Sequence, residues 1–86
     1  MTATRVNWPK LLEEVAWLLG EPVLHEPERR VPLSTSQLAD AIGQARGTLR
    51  GWIDGSEPKH ADGEALLDRW CKLSGKAREF APLERW

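Results

Sequence analysis

Three prolines, at positions 22, 27 and 32, fall within the thirteen residues EPVLHEPERRVPL (21–33). Each proline fixes φ and removes a backbone donor, so no regular helix runs through this stretch. Helical structure is thereby confined to the chain before Gly20 and after Ser34. The stretch itself is either a short β-hairpin or an extended loop, with Val23, Leu24, Val31 and Leu33 available to anchor it. It is long for a plain helix–helix connection.

The helices on either side have clear local signals. Asn7 is a good N-cap and Pro9 falls in the first turn, where its missing N–H costs nothing. Trp8, Leu11, Leu12, Val15, Leu18 and Leu19 recur at helical spacing, and Gly20 stops the run. Trp17 lies beside this stripe, either flanking the core or open to a partner. Ser34-Thr35-Ser36-Gln37 is a capping box that opens a short helix ending at Gly43. A second short helix begins about Arg46 and stops at Gly55, with Leu49, Trp52 and Ile53 facing inward. Gly47 and Gly51 inside it cost about 1 kcal/mol each relative to alanine. Close approach of its backbone to another surface is the natural reason for keeping them. A fourth helix is expected with Asp62 as cap, Ala65, Leu66, Trp70 and Leu73 inward, and Ser74-Gly75 as its end.

Eighty-six residues make one small domain, near the lower size limit for a self-sufficient core. Five Trp, one Phe and no Tyr mean that indoles must fill much of that core. The single Cys excludes an internal disulfide, and His25, His60 and Cys71 lack zinc-finger spacing. There is no phosphate-cradling glycine loop and no nucleophile set beside a base, so an enzyme is not expected, nor is a cofactor or metal. No apolar run reaches the roughly 20 residues that span a bilayer. Residues 1–7 lack the apolar core of a signal peptide, and a cytoplasmic protein is expected.

Net charge is −1, but it is unevenly distributed. Residues 1–28 carry two basic and five acidic side chains; residues 61–86 carry five of each. Residues 29–60 carry five basic (Arg29, Arg30, Arg46, Arg50, Lys59) and three acidic ones, the only net basic segment. It contains two short helices joined by a tight turn. Ala39 is small where the second helix must cross, and Gly43 suits a positive φ in the turn. Leu38, Ile42, Leu49 and Trp52 clamp the pair. That leaves Gln44, Ala45, Arg46, Gly47, Thr48, Arg50 and Gly51 facing outward, where a recognition helix presents groups to a DNA major groove.

The segment STSQLADAIGQARGTLRGWIDG resembles the helix-turn-helix of Cro/lambda-repressor-like (xenobiotic-response-element type) transcriptional regulators. The Ser cap, Leu38-Ala39, Ile42-Gly43, Arg46, Thr48-Leu49, Trp52 and Gly55 carry the resemblance, over about 21 residues. Three features depart from the family pattern: the polar Gln44 after the turn glycine, the long 21–33 connection, and the lack of an overall basic charge. The resemblance implies an all-α fold, a small four- to five-helix lambda-repressor-like helix-turn-helix domain, with or without a short extended C-terminal segment. Residues 1–75 would form the DNA-binding domain, with the motif at 35–55, and residues 76–86 a C-terminal arm or dimerisation segment. It further implies a small regulator of the phage or prophage type.

On that reading, the recognition helix is about 45–54. Either Arg46 or Arg50 can be bidentate to guanine, a contact worth about 1–3 kcal/mol of discrimination. Thr48 meets a thymine methyl or a phosphate, and Gly47 and Gly51 let the helix sit deep. Thr35 and Ser36 donate to phosphate from the start of the first motif helix. Lys59 and His60 add backbone contacts. One motif reads few base pairs, so a homodimer on a pseudo-palindromic operator in double-stranded DNA is expected. Phe80, Leu83 and Trp86 are apolar residues left to cover the second copy, or to fold back on their own core. The other class of function is a protein-binding module on the same scaffold, using the acidic first helix and exposed Trp to grip a transcription protein.

Overall fold

The computed structural model describes residues 4–85. Strand β1 (Thr4–Val6) leads into helix α1 (Trp8–Leu19). The Asn7 side chain caps α1 by accepting from the Lys10 N–H at 3.1 Å. The proline-rich stretch resolves as a hairpin, β2 (Glu21–Val23) and β3 (Glu26–Val31), with an irregularity between Pro22 and Val23. Helices α2 (Thr35–Ile42), α3 (Arg46–Ile53) and α4 (His60–Ser74) follow. A 3-10 turn (Arg78–Phe80) then leads to strand β4 (Leu83–Arg85). β4 pairs antiparallel with β1 of the same chain, Val6 opposite Leu83 and Thr4 opposite Arg85.

The expected all-α fold is therefore corrected: four helices are joined by two two-stranded antiparallel sheets, making a small mixed α/β domain. The hairpin forms because prolines bar a helix there, while the chain on either side is held against α1. The terminal ribbon forms because Asn7 N–H donates to the Pro82 carbonyl at 2.9 Å, bringing the two ends into register. Helix α4 also begins earlier than its expected Asp62 cap. Lys59 is the N-cap residue, the Gly63 N–H bonds to the Lys59 carbonyl at 2.8 Å, and Asp62 falls inside the first turn. A carboxylate is favourable at that positive helix end without being the cap itself. The buried face of α4 is Gly63, Leu66, Leu67 and Trp70, so Ala65 points outward, contrary to expectation.

The core joins Leu11, Leu12, Val15 and Ala16 of α1 to Leu38 and Ala39 of α2, Leu49 and Trp52 of α3, and Leu66, Leu67 and Trp70 of α4. Among the described indoles, Trp52 and Trp70 are buried in it, beside six leucines, so indoles fill less of the core than the composition suggested. Trp70 Nε1 donates to Glu14 Oε2 at 3.2 Å, satisfying its polar atom and fixing α4 on α1. Trp8 packs on Gly63, where a β-carbon would lie 3.1 Å from its ring. Ala81 is buried in the same core, so part of the tail folds back. Phe80 (66%) and Leu83 (45%) stay exposed, Leu83 although its strand pairs with β1, and Trp86 lies outside the described residues. Arg78 donates to Glu64 at 2.8 Å and ties the tail to α4. That bond holds the Glu64 carboxyl below the usual carboxylate range.

Arg30 secures the hairpin. Its Nη1 donates to the carbonyls of Leu18 (3.0 Å) and Gly20 (3.1 Å), groups that the end of α1 leaves without helical partners. Its guanidinium also lies 5.6 Å from the centre of the Trp17 ring. A cation at a helix C-terminus adds a favourable dipole interaction. Arg30→Ala is expected to lower stability by about 2 kcal/mol, the scale of charge-assisted hydrogen bonds, with lysine a poor substitute for the planar group beside Trp17. Chemical denaturation of the variants measures this. Arg30 is thus an internal fastener, although it belongs to the net basic segment.

Candidate nucleic-acid interface

The turn between α2 and α3 is built by backbone hydrogen bonding. Ser34 Oγ accepts from the Gln37 N–H at 3.2 Å while Gln37 Oε1 accepts from the Ser34 N–H at 2.9 Å, the expected capping box. At the other end Gly43 adopts φ 72°, ψ 32°. Its N–H reaches the Asp40 carbonyl at 3.3 Å and the Gln44 N–H reaches Ala39 at 2.9 Å, which together form a Schellman stop. Ala39 is fully buried, and Leu38, Leu49 and Trp52 close around it. The two helices are therefore held as one unit, with α3 also packed on α1.

This arrangement leaves one side of α3 open. Ala45, Arg46, Gly47, Thr48 and Arg50 are exposed and Gly51 is half-buried. Arg46 has no salt bridge among the described residues. Arg50 Nε lies 4.0 Å from Asp54 Oδ2, one turn further on. Helix α3 starts at Arg46 with Ala45 as its N-cap residue and no side-chain cap, so the N–H groups of its first turn have no side-chain acceptor. A β-carbon on Gly47 would meet nothing within 4 Å, and one on Gly51 only Ser56 Oγ at 3.9 Å. Nothing inside the chain requires glycine at either place.

The remaining expected residues lie differently. Gln44 is half-buried and its Nε2 donates to Asp62 Oδ1 at 3.4 Å, so its side chain braces the turn against α4. Thr35 is half-buried and lines a groove with Pro9, Pro32, Leu33, Leu38 and Ile53, between α1 and the motif. Ser36 is half-buried in the first turn of α2. Lys59 and His60 are exposed at the start of α4. The structure thus leaves Ala45, Arg46, Gly47, Thr48 and Arg50 exposed around the buried Leu49, with Arg46 and Arg50 one turn apart, and gives Gln44 an internal role. Asp54 was missed by the sequence reading; its spacing of four residues from Arg50 is the signal that points to it.

Among the described residues no group of three His, Cys, Asp or Glu side chains is placed to hold a metal ion. No described helix is long and apolar enough to cross a membrane. Comparison with known protein families, with curated proteins and with solved structures finds no match to this chain.

Proposed function

We propose that the chain is a sequence-specific DNA-binding transcriptional regulator that represses from a pseudo-palindromic operator as a homodimer, with α3 entering the major groove. The observation that carries this reading is the open face of α3. It pairs two exposed arginines one turn apart with two glycines that the fold itself does not need. Arginines supply the fork that matches guanine or phosphate, and bare backbone lets the helix lie close to a duplex. The uncapped first turn adds N–H donors for a phosphate. Thr48, Ser36 and Lys59 are the supporting contacts of the proposal. A second copy is the proposed cover for exposed Phe80 and Leu83. The resemblance to Cro/lambda-repressor-like regulators supports the same reading through the motif at 35–55 alone.

The protein-binding alternative is favoured by Trp17 (43% exposed) and by Leu24 (88%) near the hairpin turn. Fluorescence-anisotropy titration with duplex DNA from around its own gene, beside scrambled duplex at two salt concentrations, separates the readings. Tight binding to the native duplex that weakens with salt is expected, and Arg46→Ala combined with Arg50→Ala should abolish it. Undiminished binding by the double variant would remove α3 from the reading.

A further inference from the structure

Resting on the DNA-binding reading, we infer that the two arginines of α3 divide the work: Arg50 reads guanine, Asp54 positions it, and Arg46 holds a phosphate. Asp54 is the C-cap residue of α3, where a negative charge opposes the helix dipole. Arginine followed by an acid four residues on is also the weaker order for a helical ion pair. Both side chains are about seven-tenths exposed, so the pair contributes little to the fold. The role inferred for it is directional. Asp54 approaches Arg50 at Nε, at 4.0 Å, which leaves the two terminal Nη groups as the free edge of the guanidinium. That edge matches the O6 and N7 acceptors of guanine.

Arg46 has the opposite surroundings. No carboxylate pairs with it among the described residues, and it opens α3 beside the uncapped N–H groups. An exposed, unpaired cation beside backbone donors without a side-chain acceptor suits a phosphate, which carries no sequence information. Asp54 has a second effect on any duplex at this face. Its charge repels phosphates, so it lowers affinity for all sequences while orienting the group that selects one.

Selection of bound duplexes from a random-sequence pool, using the full chain and its variants, tests the division. The wild-type chain is expected to enrich a guanine at a fixed position in each half-site. Asp54→Asn should melt at or slightly above the wild-type temperature, bind scrambled duplex more tightly, and lose that guanine preference by about tenfold or more. Asp54→Glu should restore part of it. Arg46→Gln should weaken selected and scrambled duplex alike and reduce the salt slope by about one. If Asp54→Asn strengthens both duplexes equally with the guanine preference intact, Asp54 only repels and the inference fails. A guanine preference that survives Arg50→Ala overturns the assignment of Arg50 alone. Enrichment of no sequence by the wild-type chain overturns the DNA-binding reading and this inference with it.

Discussion

Gly20→Ala is expected to destabilise the protein by about 3 kcal/mol, the upper range for forced overpacking. The reason is space. Gly20 has φ −69° and ψ 167°, a conformation open to any residue. A β-carbon there would overlap the Val31 carbonyl oxygen, lie 2.8 Å from its carbonyl carbon and 3.0 Å from Pro32 Cα. These are backbone atoms, and no rotamer change relieves the clash. The hairpin exit must move away from α1. That movement strains the Leu33 N–H bond to Ala16 (3.0 Å) and both carbonyl contacts of Arg30. For a domain of this size, such a loss lowers the melting temperature by about 12–24 °C. Calorimetry or circular-dichroism melting reads the effect directly. A shift of only a degree or two would mean that the hairpin is not seated on the end of α1.

Gly47→Ala and Gly51→Ala are expected to move stability and DNA binding in opposite directions. Each substitution places a methyl group where the chain leaves room. Alanine at Gly51 should stabilise α3 by about 1 kcal/mol, with a smaller gain at Gly47 in the first turn. The same methyl groups stand between α3 and a duplex that must approach the bare backbone. A steric cost of about 1.4 kcal/mol or more at that contact is a tenfold or greater loss of affinity. Melting curves and anisotropy titrations on the same preparations measure both effects. A rise in melting temperature with unchanged affinity would show that no surface comes close to these glycines. A loss of stability would instead show that α3 needs glycine for itself.

The elements that follow local rules were legible in the sequence. Asn7, the Ser34–Gln37 box and Gly43 act through hydrogen bonds only a few residues long, so spacing alone announces them. The sheets were harder. β1 and β4 each have three residues, too few to display an alternating pattern, and they lie at opposite ends of the chain. That pairing, together with the β2–β3 hairpin, is what makes the all-α expectation fail. Asp62 resembles a cap by residue type, yet the N-cap lies three residues earlier, at Lys59, and Asp62 instead receives Gln44. The open face of α3 was readable as helical periodicity. The internal use of Gln44 was not, because it depends on a residue eighteen positions away. Arg30 likewise counted in the sequence only as one of the basic residues of 29–60, since its carbonyl partners belong to another element.

The antiparallel match of β1 with β4 also sets a timetable for biosynthesis. Thr4 is made roughly 80 residues before its partner Arg85. At about 5–20 residues per second, β1 waits some 4–16 s before its partner strand has been made. During that interval α1 and the motif helices can find one another through nearer contacts, while the strand that precedes them remains an open edge. The ribbon is therefore the last part of the described fold to close, and a ribosome stalled before residue 83 holds a chain whose helical layer has no terminal clasp.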